Sequence, residues 1–173
     1  MGPRVVLVGP MGAGTTTVAA LLAEAWGVEA RDTDADVEAA EGRTISDIFV
    51  DSGEARFREL ERAAVSEALA DHDGVLALGG GAVLDPATRD LLHGQPVVFL
   101  RVGLSDAVKR VGLGSARPLL LGNVRGRIKA LLDERTPIYE AVATETVDTD
   151  GRTPEEVADE ILRKVAVPIS DGP

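Results

Sequence analysis

Arg4-Val5-Val6-Leu7-Val8 runs directly into Gly9-Pro10-Met11-Gly12-Ala13-Gly14-Thr15-Thr16-Thr17, and a helix-forming stretch continues to Trp26. A β-branched run closed by glycine reads as a strand buried on both faces. The segment after the glycines is mostly Ala, Leu and Glu, which favour helix. A strand that passes through a glycine-rich loop into a helix is the context in which backbone amides and the helix N-terminus cradle a phosphate. The loop matches the pattern G-x-x-x-x-G-K-[ST] at every position but one: Thr15 stands where the lysine belongs. A tight turn without a ligand is the competing reading, and the rest of the chain has to decide.

The strand-then-helix pattern recurs. Short apolar runs over 28–32, 75–78, 96–100 and, more weakly, 145–148 bring the expected strands to five. Helices are expected over 53–70, 86–92, 105–111, 125–139 and 154–165, with Ser105 as an N-cap and Thr153-Pro154 as a cap plus first-turn proline. Strands alternating with helices imply an α/β fold with a mainly parallel sheet. At 173 residues the chain is expected to form one domain with a real core. With one Trp, one Tyr and three Phe, that core must be built from Val, Leu, Ile and Ala. Residues 112–126, with four glycines and the Arg117-Pro118 pair, read as a mobile loop.

Charge and cysteine content narrow the function. Eighteen basic against 29 acidic residues leave a net charge of −11, which argues against a general nucleic-acid or anionic-membrane binder. The absence of cysteine removes disulfides, thiolate metal sites and a cysteine nucleophile. The N-terminal apolar run is too short for a signal peptide or a membrane span, so a cytoplasmic protein is expected.

Three further stretches carry chemistry. Asp32 and Asp34 fall at the end of the second expected strand, where alternation points both to one side and parallel sheets place their ligands. One carboxylate there suits a magnesium shell and the other a substrate hydroxyl; a solvated acidic turn capping a helix is the alternative. Gly79-Gly80-Gly81 exposes backbone to close approach by a ligand, or else is a flexible turn. Arg58, Arg117 and Arg135 gain weight only if they converge, since a single arginine usually lies at the surface.

Taken in order, seven signals resemble the shikimate kinases. They are the phosphate loop, Asp32-Thr-Asp34, Gly42-x-x-Ile45-x-x-Ile48-Phe49, and Gly53-Glu54 with Phe57-Arg58 and Glu61. Gly79-Gly80-Gly81, Arg117-Pro118-Leu119-Leu120 and Arg135-x-Pro137-x-Tyr139 complete the set, and the similarity runs from about Arg4 to Val165. The resemblance implies a P-loop kinase of the nucleoside-monophosphate-kinase type: a five-stranded parallel sheet flanked by helices, a substrate-binding region at about 33–61 and a mobile lid at about 112–126. The implied reaction is ATP-dependent phosphorylation of the shikimate 3-hydroxyl in aromatic amino acid biosynthesis, by a monomer that binds neither nucleic acid nor membrane.

By position, Gly9, Gly12, Ala13, Gly14, Thr15, Thr16 and Thr17 would hold the ATP phosphates, with Thr16 on Mg²⁺ and Asp32 supporting the metal through water. Asp34 would orient or deprotonate the attacking hydroxyl. Arg58 and Arg135 would clamp the shikimate carboxylate, and Gly79, Gly80 and Gly81 would contact the ring. Arg117 would close on the transferring phosphate, while Arg110, Arg152 and Thr153 would border the adenine.

Thr15 departs from this pattern. Loss of the lysine's charge is expected to cost on the order of 2–4 kcal/mol of transition-state stabilisation, about 10²–10³ in rate. An engineered inactive variant, an enzyme in which another cation substitutes, and a non-catalytic ATP- and shikimate-binding relative all fit that feature. A kinase with impaired or altered catalysis is the reading adopted, with a gluconate-type kinase as the rival within enzymes.

Overall fold

Five strands, Val5–Val8 (β1), Ala30–Asp32 (β2), Val75–Ala77 (β3), Val97–Arg101 (β4) and Glu145–Asp148 (β5), pair in parallel in the order β2-β3-β1-β4-β5. This is a computed structural model, and it describes residues 2–10, 12–113 and 124–165. Helices Thr15–Trp26 (α1), Thr33–Glu41 (α2), Ile45–Asp71 (α3), Pro86–Leu92 (α4), Leu104–Leu113 (α5), Val124–Val142 (α6) and Pro154–Lys164 (α7) connect and flank the strands. A short 3₁₀ turn, Ala82–Leu84, precedes α4. The α/β class, the five parallel strands and the flanking helices are as the sequence implied. Arg117 and most of the expected lid lie outside the described residues.

Two differences concern the region after β2. Residues 33–41 form α2, for which no helix was expected, because its apolar stripe is narrow: Thr33 and Val37 are its buried residues. Asp34 therefore sits in the first turn of a helix, not on an extended strand, and strand alternation is the wrong reason for its facing the same way as Asp32. The next helix starts eight residues before Gly53, at Ile45. Gly53 interrupts it with φ 86° and ψ 164°, a conformation essentially closed to residues with a Cβ. Ser105 is also corrected: α5 begins at Leu104, and the Ala107 amide bonds back to the Gly103 carbonyl at 2.9 Å, so Ser105 lies within the first turn.

The central strand shows why the sheet is buried on both sides. Val5 and Leu7 join Val18, Leu22, Val98, Leu100 and Ile161 in one apolar layer beneath α1 and α7. Val6 and Val8 point the other way, into a layer with Leu76 and Phe99 of the neighbouring strands and Val65, Leu92 and Tyr139 from α3, α4 and α6. A smaller cluster of Val37, Ile48 and Phe57 fastens α2 to α3. The core is mostly Val, Leu, Ile and Ala, with few aromatic side chains, as the composition required.

Candidate active site

The loops that leave the C-terminal ends of β1, β2 and β3 open into one crevice of about 540 Å³. In parallel α/β sheets this edge is where ligands bind, because the strand ends deliver loops and helix N-termini to one place. Gly9, Gly12, Gly14, Thr15, Thr16 and Thr17 form one wall, and Asp32, Asp34, Arg58, Gly79, Gly80, Gly81 and Arg135 line the remainder. Most of the expected site residues thus share one cavity.

The first wall is an anion cradle. Gly12 and Gly14 hold φ of 89° and 86°, so the backbone curls in a way that side-chain-bearing residues rarely adopt. A side-chain oxygen caps each of α2, α3, α4 and α7, from Asp32, Thr44, Asp85 and Thr153. The N-cap of α1 is Gly14, with no side-chain bond, which leaves the first amides of that helix free for a ligand. Ala13 lies behind this wall, buried at 3 % exposure in the core. Arg110 braces the loop from below: its guanidinium donates to the Gly12 carbonyl at 2.9 Å and to the Thr149 carbonyl at 2.8 Å.

Thr16 and Asp32 meet at the floor, where the Thr16 hydroxyl donates to Asp32 Oδ2 at 2.8 Å. The other oxygen, Oδ1, accepts from the Asp34 amide at 2.8 Å and caps α2. Among the described residues no three His, Cys, Asp or Glu side chains group as a complete metal site. A hydroxyl plus one carboxylate oxygen fits a hard cation that keeps several waters and takes further oxygens from a phosphate, as Mg²⁺ does.

The second wall is electrostatically sorted. Asp34 is raised to about 6, first by burial and then by the neighbouring charges of Asp32 and Glu38, with Arg58 pulling the other way. Arg58 donates to Glu61 at 2.8 Å, with Glu54 at 3.4 Å, and its guanidinium lies 5.3 Å from the Phe57 ring centroid. Glu61 is 2 % exposed, and burial pushes its carboxyl up although Arg58 pulls it back. The buried Nε of Arg135 has no hydrogen-bond partner among the described residues, as expected of a group kept for a ligand.

Two of the three glycines, Gly79 and Gly81, stand directly against charged side chains. A Cβ on Gly79 would collide with the Asp34 carboxylate, and a Cβ on Gly81 would lie 2.6 Å from an Arg58 terminal nitrogen. Both functional side chains press directly on glycine backbone.

Three expected residues are placed elsewhere. Arg110, Arg152 and Thr153 do not line the crevice. Arg152 donates to the Asp148 carbonyl at 2.8 Å and to the Glu160 carboxylate, and Thr153 caps α7 through the Glu156 amide. In the other direction, Pro10, Ile45, Phe49, Phe57, Glu61 and Leu78 line the crevice without having been singled out as site residues. Glu61 was part of one of the seven signals but was given no site role, since an i,i+3 partner of Arg58 on an acidic helix usually marks a solvated face.

A family model described as shikimate kinase matches residues 11–166. A shikimate kinase of Salinispora arenicola is 61 % identical over 166 residues, covering 96 % of this chain and 99 % of that protein. A shikimate kinase of Acinetobacter baumannii, solved in complex with shikimate, superposes with a TM-score of 0.87 at 35 % identity, over 99 % of this chain and 95 % of that one. A gluconokinase of Sinorhizobium meliloti, at a TM-score of 0.60 and 23 % identity over 93 % and 90 % of the two chains, shares the fold alone. Agreement along nearly the whole length of the chain, in sequence and in structure, means that it belongs to the shikimate kinase family.

Proposed function

We propose that this crevice transfers the γ-phosphoryl group of ATP to the 3-hydroxyl of shikimate, and that Thr15 slows the transfer. The observation that supports this most directly is convergence: one crevice brings an uncapped helix N-terminus behind two positive-φ glycines together with Asp34, Arg58 and Arg135. One end is built for phosphate and the other for a carboxylate, with a carboxylate base between them.

The acceptor is held by its own carboxylate in the planar donor forks of Arg58 and Arg135. Glu61 keeps Arg58 in place through the 2.8 Å bond. The hydroxyl oxygen bonds to the γ-phosphorus, the bond from that phosphorus to the β–γ bridging oxygen breaks, and ADP leaves. Asp34 takes the hydroxyl proton; a carboxyl raised to about 6 is ionised at neutral pH and still basic enough to accept it. Amides of the glycine loop and of the α1 N-terminus hold the phosphates. Thr16 and Asp32 would hold Mg²⁺, which when bound neutralises phosphate charge.

Thr15 offers a hydroxyl where the family pattern has an ammonium, so one full positive charge is missing beside the phosphates. We assign the substrate-binding region to residues 33–61, the lid to 112–126 and the closing cation to Arg117, and we place Arg110, Arg152 and Thr153 on the adenine side. The same reading takes the acting unit as a monomer, and use of ATP fits a cytoplasmic location.

The test is ADP release with ATP, Mg²⁺ and either shikimate or gluconate. Slow release that requires shikimate is expected. Release with gluconate alone would overturn the acceptor assignment. Shikimate binding by calorimetry without any turnover would instead support a non-catalytic binding module.

A further inference from the structure

Tyr139 is the single tyrosine of the chain and is fully buried, yet its hydroxyl leaves the core and donates to the Gly80 carbonyl at 2.5 Å. Its ring stacks on Phe99, with centroids 5.0 Å apart and planes at 28°. The stack seats the ring in the core, while the bond to Gly80 holds the hydroxyl. On α6, Tyr139 lies one turn after Arg135, so the two side chains project from the same face.

The loop it touches is otherwise lightly held. The strand β3 ends at Ala77, and the Gly79 and Gly81 carbonyls accept from the Ala82 and Leu84 amides, both at 3.1 Å. With Gly80 bonded to Tyr139, all three glycine carbonyls are occupied inside the protein. None of the three glycine amides donates to a partner among the described residues. Those amides are the loop's unpaired polar groups, on residues that line the crevice. A peptide between glycines rotates easily, and one unpinned carbonyl is enough to exchange donor for acceptor.

We infer that Tyr139 is a positioning residue for the acceptor, acting through Gly80: its hydroxyl fixes the peptide orientation that presents glycine amides to the acceptor's oxygens beside Asp34 and Arg58. The inference rests on the proposed function for the identity of the acceptor, though not for the pin itself. It also makes α6 a single rigid carrier of two duties, since the helix that delivers Arg135 also sets the loop opposite.

The experiment compares the parent chain with Tyr139→Phe, which keeps the ring, and with Phe99→Leu, which loosens the stack and keeps the hydroxyl. Calorimetry reads shikimate and ADP affinities separately, and amide exchange in the ligand-free protein reads Ala82 and Leu84, the amides bonded to the loop's carbonyls. In Tyr139→Phe, shikimate affinity is expected to fall about tenfold, with ADP affinity unchanged and exchange at Ala82 and Leu84 about tenfold faster. Phe99→Leu is expected to lower Tm without altering the ratio of the two affinities. Equal losses for both ligands, an unchanged shikimate affinity, or the same selective loss in Phe99→Leu would overturn the inference. A parent chain that binds no shikimate would overturn the proposed function instead, and exchange at Ala82 and Leu84 alone would then decide the pin.

Discussion

Thr16 and Asp32 stand 16 residues apart in sequence and 2.8 Å apart through a hydroxyl-to-carboxylate bond that ties the phosphate loop to the second strand. The same carboxylate caps α2 through the Asp34 amide. Asp32 thus serves two partners, one for each oxygen: Thr16 of the phosphate loop, on the side proposed to hold metal, and the amide of the proposed base.

Replacement of Asp32 separates the two. Asparagine is a good N-cap, so Asp32→Asn is expected to keep its Tm while its Mg²⁺ requirement rises about 10–100-fold, the usual cost of losing a group that supports a metal. Asp32→Ala removes the cap as well and should cost about 1 kcal/mol of stability. Thermal melts and Mg²⁺ titrations of ADP release check both. Equal Tm in the two variants would count against the capping role.

Arg58→Ala is expected to weaken shikimate binding by roughly 2–5 kcal/mol, because it removes half of a desolvated carboxylate clamp. It also strands Glu61, which is 2 % exposed and bonded to Arg58. Arg58→Lys should rescue little, since an ammonium cannot form the planar fork to the substrate while holding Glu61. Calorimetry on the three chains checks this, and full rescue by lysine would rule out the fork.

The Asp34 carboxyl gives a pH dependence of defined sign. Its folded value is raised from 3.8 to about 6, so the folded state holds the proton more tightly than the unfolded chain does. That contribution to stability is present in full below the unfolded value and is lost as pH rises through about 6. Asp34→Asn mimics the neutral form, so it should raise Tm above that pH and add nothing near about pH 4. Turnover should fall about 10³-fold or more in the same variant. Melts across pH in metal-free buffer check the first part, and ADP release checks the second.

Thr15→Lys is expected to raise turnover by about 10²-fold or more, mainly in kcat, because an ammonium interacts most strongly as charge develops on the phosphates. Nucleotide affinity should change less, since the uncapped α1 N-terminus and the glycine amides are already in place. Steady-state kinetics on both chains decides it. A fast parent that gains nothing from lysine would mean that another cation already fills the role.

Much of this protein can be read from its residues. The β-branched run into glycines predicts β1, and the order of seven short signals predicts the fold and the crevice, because backbone geometry and local propensity are short-range properties. Asp34, Arg58 and Arg135 were joined into one site by the resemblance that those signals carry, not by any local property of the three residues. What the sequence left open was decided by packing. The helix α2 forms although its own apolar stripe is narrow, because Asp32 caps it and Val37 seats against Ile48 and Phe57 from the next helix. Glu61 is buried only because α3 turns that face inward toward Arg58 and the crevice. Nor does the triplet Gly79-Gly80-Gly81 reveal its surroundings locally: Asp34 and Arg58, which lie against Gly79 and Gly81, arrive from residues far away in the chain. Tyr139 closes the last of the seven signals, yet only the fold brings its hydroxyl to Gly80, 59 positions earlier. Such contacts depend on the relative placement of whole elements, which no local stretch encodes.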